Sequence, residues 1–193
     1  MKRGVARIQS DGERRLLGLP RPHASQVRTL LGRSATDVGP RGRDRGSGFG
    51  RLDVTSAVAA AAAGLPPRDA FETNHDAGAA AWSLSAKRRV VSATLDRFDD
   101  ERDVYRVRLV RGQRIVLTLD GPQGGRSDLF LWRPATKSVL GSARKRANRL
   151  AVSARPGARE RIAHRAKRAG WHFVEVRLAG GRSGAYRLTI SRG

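Results

Sequence analysis

An acidic cluster is the feature of this sequence best suited to chemistry. The chain carries 39 Lys and Arg against 17 Asp and Glu, yet five of its acids fall within eight positions: Asp96, Asp99, Asp100, Glu101 and Asp103. Carboxylates this close together repel one another unless a positive charge neutralises them. One interpretation is a bound hard cation such as Ca²⁺, which prefers oxygen ligands.

Two other interpretations of this cluster remain open. Arg97, Arg102 and Arg106 interleave with the acids, and they would neutralise them as surface ion pairs, each of small value. Alternatively, Asp100 and Asp103 only cap a turn, a position that favours Asp.

Other metal and redox chemistry finds little support. Cysteine is absent, which excludes disulfides, thiolate nucleophiles and Cys-ligated zinc. The histidines are scattered at His23, His75, His164 and His172 without an HxxxH or HExxH spacing, so we predict no zinc site. His172 alternates with Trp171 and Phe173 on a predicted strand, and we expect it to face solvent.

The formal net charge of +22 is concentrated in residues 133–170, which contain twelve Lys and Arg and one acid, Glu160. Such a segment could bind polyanions, either nucleic acid or a cell-surface polymer, by counterion release. The alternative is a solvated loop face, with the Arg excess reflecting GC-rich codons rather than function. The contact candidates are Arg144, Lys145, Arg146, Arg149, Arg165, Lys167 and Arg168.

The elements that must position these residues change character near residue 65. Before it, Ala24 to Ala35 and Asp53 to Ala63 have helical patterns, with Ser25 as the first N-cap and Asp53 or Thr55 as the second. Residues 1–22 have little periodicity and no apolar core of a signal peptide, so we expect a poorly ordered terminus. The adjacent prolines in residues 65–68 predict an extended linker.

After the linker, short β-type segments follow one another without helices. The stronger ones are residues 90–95, 103–109, 114–119, 128–132, 171–178 and 185–190, and the weaker ones are 138–140 and 150–153. Several short strands with period-two alternation predict a β-sandwich or barrel. No apolar run reaches the roughly 18 residues of a membrane span.

An ordered set of motifs in residues 69–193 resembles the bacterial pre-peptidase C-terminal domain. Residues 69–74 (DAFETN) resemble its D-x-[YF]-E-x-N opening, and residues 128–131 (DLFL) its D-L-x-L strand. Residues 170–176 (GWHFVEV) resemble G-x-Y-Y-V-x-V, and residues 184–190 (GAYRLTI) the closing G-x-Y-x-L-x-[IV]. The resemblance implies a mainly β fold: a jelly-roll-like antiparallel β-sandwich.

Residues 23–64 resemble the end of a subtilisin-like serine peptidase domain. Residues 48–54 (GFGRLDV) resemble its G-[YF]-G-x-[VL]-[ND] turn into the last helix. The resemblance implies a short two-helix remnant of a subtilase domain before the sandwich. The catalytic G-T-S-M-A, D-[ST]-G and H-G-T motifs are missing from the sequence, and a triad works only as a complete, positioned set. We therefore expect no peptidase activity.

The family resemblance also implies a calcium site and a role within a secreted peptidase. Related sandwich modules of bacterial collagenases bind calcium through carboxylates and an Asn, and the matching positions here are Glu72, Asn74, Asp100 and Asp103. Asp99 or Asp76 would add charge. The implied role is a non-catalytic accessory domain of a secreted peptidase, aiding secretion, folding or substrate attachment outside the cell. Its partner would be the parent peptidase domain or a protein or polymer substrate.

Overall fold

A computed structural model of the protein describes residues 22–85, 90–141 and 147–193. The chain divides into two compact units, residues 1–67 and 68–193. The expected poorly ordered terminus, apart from residue 22, lies outside the described residues. Within the described part, no helix is long and apolar enough to cross a membrane.

The first unit contains the two predicted helices, α1 (Ala24–Ser34) and α2 (Val54–Ala62). Asp53 caps α2, accepting a hydrogen bond from the Ser56 N–H at 2.9 Å. The N-cap of α1 is His23 rather than the predicted Ser25, because the Gln26 side chain reaches back to the His23 N–H at 3.1 Å. Such a reciprocal contact fixes the first turn of a helix.

Packing within the first unit buries part of its apolar surface and leaves the rest exposed. The resemblance of this unit to the end of a peptidase domain implies that Val27, Leu30, Leu31 and Leu52 would lack the sheet on which they normally pack. Leu30 nevertheless is buried, at 5% exposure, whereas Val27 and Leu52 are 38% and 58% exposed.

The described residues of the second unit form nine strands. They are β1 (Trp82–Ser83), β2 (Val90–Leu95), β3 (Arg102–Leu109), β4 (Arg114–Asp120), β5 (Gly125–Trp132), β6 (Arg149–Ser153), β7 (Arg159–Arg165), β8 (Gly170–Gly181) and β9 (Gly184–Arg192). Two of them, β1 and β7, were missed in the sequence, and the predicted strand at residues 138–140 does not form.

The strands form two sheets, with orders β1-β3-β8-β5-β6 and β2-β9-β4-β7. All pairs are antiparallel except the short β1–β3 pair. Apart from β1, successive strands alternate between the sheets, and only β5 and β6 are neighbours in sequence within one sheet. This order of eight strands is that of a jelly roll. The predicted fold class, a mainly β antiparallel sandwich, is confirmed.

The core lies between the two sheets, where inward residues of both form one apolar cluster. On β3 the inward residues are Tyr105, Val107 and Leu109, as the alternation predicts, while Arg106 and Arg108 point outward. A second cluster, which includes Val104, Phe130, Trp132 and Phe173, lies on the other face of the five-stranded sheet.

This second cluster explains why the expectation for His172 is wrong. Phe173 is on the outer face of β8 but is buried there with Ala77, Ala81 and Val139. The opposite face carries Val174 and Val176, and these belong to the core between the sheets. His172 shares that face by alternation, and it is 1% exposed. The expectation that His172 faces solvent assumed that the face of β8 with Trp171 and Phe173 was the only buried face of this strand.

Candidate metal centre

The acidic site is built from three pieces of chain in the second unit. A loop at residues 69–74 supplies Asp69, Glu72 and Asn74, the β2–β3 connection supplies Asp100, and the start of β3 supplies Asp103. Phe71 anchors the first loop in the core, 7% exposed, with its ring 5.7 Å from that of Tyr105 in an edge-on contact. Such an apolar anchor holds the flanking carboxylates in place.

Backbone hydrogen bonds fix the loops that carry these side chains. Asp69 accepts from the N–H groups of Phe71 and Thr94, both at 2.8 Å, which ties the first loop to β2. The Asn74 carbonyl accepts from the Val104 N–H at 2.7 Å, which places Asn74 beside the start of β3.

The turn before Asp100 is capped by Asp96. Its Oδ1 accepts from the N–H groups of Phe98, Asp99 and Asp100 at 2.6, 2.9 and 3.3 Å. The turn-capping role that the sequence offered to Asp100 and Asp103 therefore belongs to Asp96, and the other two carboxylates remain directed at the site.

Four carboxylates converge at this point. Asp69, Glu72, Asp100 and Asp103 each offer an oxygen atom, and these oxygen atoms all lie within 4.8 Å of one another. Ligands on opposite sides of one Ca²⁺ are about 4.8 Å apart, because Ca–O distances are about 2.4 Å. The spacing therefore suits ligation of a single ion.

Five oxygen atoms at the site are buried: both carboxylate oxygens of Glu72, Oδ1 of Asp100, Oδ1 of Asp103 and Oδ1 of Asn74. Apart from the contacts of Glu72 and Asp100 with each other and with His75, these atoms have no donor among the described residues. Asn74 and Asp103 are completely buried. A buried polar atom without a partner costs stability. A cation bound among the four converging carboxylates would neutralise them, so this set of oxygen donors fits Ca²⁺, which takes six to eight oxygen ligands.

Burial and mutual repulsion shift the protonation of the cluster. Burial above all raises the pKa of Asp100 to about 10, and the hydrogen bond and charge of Glu72 add to the effect. Burial also raises the pKa of Asp103 well above its ordinary value, with the Asp100 charge contributing. Without a metal ion, the cluster therefore holds protons at neutral pH.

Two buried tyrosines support one side of the site. The Tyr186 hydroxyl donates to Oδ2 of Asp103 at 2.5 Å, and the two hydroxyls of Tyr105 and Tyr186 are 2.5 Å apart. Burial raises the pKa of both hydroxyls, so they stay protonated and act as donors. They satisfy Oδ2 of Asp103 and leave its Oδ1 for the site.

Two of the three arginines that interleave with the acids in sequence, Arg102 and Arg106, are directed away from the cluster. Arg102 is on the outer face of β3, where its Nε donates to Oε1 of Glu175 at 2.6 Å. Arg106 donates to the Ser83 hydroxyl and lies over the Trp171 ring, 5.3 Å from its centre. For these two, the ion-pair interpretation of the acidic cluster is wrong.

His75 is the basic group in contact with the cluster. Its side chain is 33% exposed, with Nε2 3.3 Å from Oε2 of Glu72 and Nδ1 3.5 Å from Oδ1 of Asp100. The same Nδ1 is 3.3 Å from the Arg102 carbonyl oxygen. His75 therefore covers the exposed side of the site, and when protonated it neutralises part of its charge.

The structure thus brings together the predicted Glu72, Asp100 and Asp103, with Asn74 adjacent. Sequence reasoning missed Asp69 and His75 as members, although Asp69 opens the same DAFETN motif. Asp76, which was expected to add charge, instead accepts from the N–H groups of Ala77 and Val139 at 2.8 and 2.6 Å.

The polyanion candidates are dispersed. Arg144, Lys145 and Arg146 lie outside the described residues. Arg149 lies over the rings of Phe130 and Trp132, 5.2 and 5.4 Å from their centres, and Arg165 donates to the Gly112 carbonyl at 2.8 Å. Lys167 and Arg168 are exposed at the β7–β8 turn and line a cavity of about 330 Å³.

Comparison with known proteins gives matches to solved structures alone. No family model and no curated protein matches the chain. The pre-peptidase C-terminal domain of collagenase from Bacillus anthracis is 15% identical, with 66% of this chain and 100% of that one covered and a TM-score of 0.44.

Two further matches are periplasmic inhibitors of g-type lysozyme. PliG from Aeromonas hydrophila is 12% identical, with 58% of this chain and 96% of that one covered and a TM-score of 0.45. PliG from Salmonella Typhimurium is also 12% identical, with 58% and 97% covered and a TM-score of 0.37. The assignment of the jelly roll rests on the strand order itself.

Proposed function

We propose that this chain is a non-catalytic, calcium-binding β-sandwich accessory domain of a secreted peptidase. The observation that carries the calcium assignment is the convergence of four carboxylate oxygens within 4.8 Å of one another. Beside them, Oδ1 of Asp103 and Oδ1 of Asn74 are buried and have no donor among the described residues. A Ca²⁺ ion bound there would join the 69–74 loop, the β2–β3 connection and β3. The sandwich would then be stabilised where Ca²⁺ is abundant, as in extracellular modules with affinities of about 10⁻⁴ to 10⁻³ M.

Isothermal titration calorimetry tests the calcium site. Ca²⁺ added to the chelator-treated chain should bind with one-to-one stoichiometry, and Asp103→Asn should abolish the heat. Asp120→Asn is the matched control, because Asp120 is 53% exposed and its partner is Arg159, 3.3 Å away on the neighbouring strand. An absence of heat with the wild-type chain refutes the proposal. Tighter binding of Zn²⁺ than of Ca²⁺ would assign the site to His75 and its two carboxylate neighbours instead.

The peptidase context is supported by the sequence resemblances of residues 23–64 and 69–193. In this proposal the domain aids secretion, folding or substrate attachment of a subtilisin-like peptidase and acts outside the cell. The missing triad motifs support the absence of catalysis by this chain. A fluorogenic peptide assay tests this: cleavage that a serine-directed inhibitor blocks would contradict it.

Polyanion binding is the second candidate function. The observation that favours it is the pair of exposed cations Lys167 and Arg168 at one turn, in a segment with a single acid. Binding to immobilised heparin should weaken steeply as the salt concentration rises, because each neutralised anionic group releases a counterion. Retention that does not change with salt would contradict this function.

A further inference from the structure

A second site lies at the end of the sandwich away from the acidic cluster. It is the cavity of about 330 Å³, a volume within the range of small-ligand sites. His172 lines it and pairs with Val107 on β3, four residues beyond the pair of Asp103 with Val176. That separation is about 14 Å along the strands, so the two sites are distinct.

The lining of this cavity combines cations with apolar walls. Among the described residues, the charged ones that line the cavity are Arg133, Lys167 and Arg168, and no acid of that part of the chain lines it. The remaining lining residues are Pro134, Ala135, Leu150, Ala169 and His172. Three cations without a counter-charge favour an anion, while apolar walls favour a hydrocarbon body attached to it.

Two anchored turns form the walls of this cavity. In the turn after β5, the Thr136 hydroxyl donates to the Arg133 carbonyl at 2.8 Å, and the Arg133 N–H donates to the Asn148 carbonyl at 3.0 Å. In the β7–β8 turn, the N–H of Ala166 donates to the Gln113 carbonyl at 2.8 Å. Fixed turns hold a binding site in one geometry, which lowers the cost of binding.

The backbone of the first turn is unusual at the cavity itself. Ala135 has φ of 65°, and it is the one non-glycine residue with positive φ among the described residues. A side-chain-bearing residue in this region stores strain that surrounding structure must impose, and such positions concentrate at functional sites. Gly170 packs closely against Pro134 of the same turn, since a Cβ at Gly170 would lie only 3.1 Å from Cβ of Pro134.

The floor of the cavity includes His172, which is 1% exposed. Its Nδ1 lies 3.2 Å from the Gly170 carbonyl oxygen, so Nδ1–H donates there in the neutral ring. Burial lowers the pKa of His172, and the nearby His164 lowers it further. At neutral pH the positive charge around the cavity is therefore that of the three cations at its rim.

We propose that this cavity binds the carboxylate of a small apolar acid. Arg133, Lys167 and Arg168 take the carboxylate, and Leu150 with the two turns holds the hydrocarbon part. Two sources offer this chemistry: the free C-terminus of a peptide ending in an apolar residue, and a short branched fatty acid. The site is independent of the calcium proposal and shares only Lys167 and Arg168 with the polyanion candidates.

Nitrogen-15 NMR titration of the full chain tests the proposal. N-acetyl-L-leucine should saturably shift the amide signals of Arg133, Ala135, Thr136 and residues 167–172. N-acetyl-L-leucinamide, which has the same body without the charge, should bind at least about tenfold more weakly, as expected for loss of a charge-assisted contact. 4-Methylpentanoate distinguishes the sources: tighter binding than N-acetyl-L-leucine assigns the cavity to fatty acids, and weaker binding to peptide termini.

Variants locate the binding. Arg133→Gln and Lys167→Gln should each weaken binding of N-acetyl-L-leucine about tenfold. Arg161→Gln, which removes an exposed charge from β7 outside the cavity, should leave it unchanged. Spectra that retain the dispersion of the wild type show that each variant is folded.

Three results would overturn the proposal. Equal binding of the acid and its neutral amide would remove the role of the cations. Equal weakening by Arg161→Gln would show a diffuse effect of net charge. Inorganic phosphate binding as tightly as the acid would show that the apolar walls contribute nothing.

Discussion

Replacing Asp100 with Asn should change stability in opposite directions with and without calcium. In the metal-free protein the carboxyl is buried and its pKa is raised to about 10, mainly by burial. In the unfolded chain its pKa is near 3.8, so folding at pH 7 takes up a proton. Each intervening pH unit is worth about 1.4 kcal/mol, which gives a cost on the order of 4 kcal/mol. Asn removes that cost because it carries no charge to neutralise.

With calcium present the sign reverses. Millimolar Ca²⁺ is about 10 times a Kd of about 10⁻⁴ M, and a ligand at that concentration stabilises the folded state by about 1.4 kcal/mol. For a unit of this size that corresponds to a rise in Tm of about 5 °C. The wild-type chain should gain this increment, whereas Asp100→Asn should gain little, because Asn offers one neutral oxygen in place of a carboxylate.

Differential scanning calorimetry in EDTA and in millimolar Ca²⁺ measures both effects. Asp100→Asn should unfold above the wild type in EDTA and lose most of the calcium increment. Asp120→Asn, at an exposed position in the other sheet, should behave as the wild type in both buffers. A wild-type Tm that calcium does not move, or an equal increment in Asp100→Asn, would refute the site. A lower Tm of Asp100→Asn in EDTA would refute the account of its burial.

Three further measurements probe the second unit. In EDTA the free energy of unfolding of the wild type should fall as pH rises from about 4 towards 10. The reason is that the folded state holds protons on Asp100 and Asp103 that the unfolded chain releases. Urea titrations that show constant or rising stability would contradict this. Tyr186→Phe should lower the free energy of unfolding by about 1–3 kcal/mol by removing the donor to Asp103, and an unchanged urea midpoint would argue against that bond. Glu175→Gln should also lower the free energy of unfolding by about 1–3 kcal/mol, since Arg102 loses its charged partner. This decrease should be almost as large in 1 M salt, because Glu175 is buried and salt screens buried pairs weakly.

The sandwich could be predicted because its strands show clear local signals. The segments at residues 103–109 and 185–190 alternate apolar and polar residues, and the segment at residues 114–119 is rich in residues with high β propensity. All three lie within strands of the structure. β7 was missed because its sequence, RERIAHR, has one large apolar residue, and tertiary pairing with β4 imposes the strand. The outer-face cluster was missed for a related reason, since nothing local shows that a loop covers Phe173.

The candidate site could be predicted only in part. Clustering in sequence drew attention to Asp100 and Asp103, and motif resemblance added Glu72 and Asn74. Asp69 was missed because its carboxylate reaches the cluster only once the loop is folded and it accepts from the N–H groups of Phe71 and Thr94. The direction of Arg102 towards Glu175 depends on which face of β3 is inward, and that is a property of the assembled sheets.

The interior position of Asp103 also bears on what the acidic cluster does. Asp103 lies on the face of β3 that carries Tyr105 and Val107, which belong to the core between the sheets. A charge there would be costly in a domain selected only for packing, since an apolar residue of similar size would be better tolerated. Arg102 cannot neutralise this charge, because its side chain lies on the opposite face of β3 and donates to Glu175. In the proposed calcium site, a divalent cation entering past His75, whose side chain is 33% exposed, would neutralise the carboxylates and contact their buried oxygens. The burial that makes the metal-free cluster unfavourable would then be the same feature that favours a bound cation.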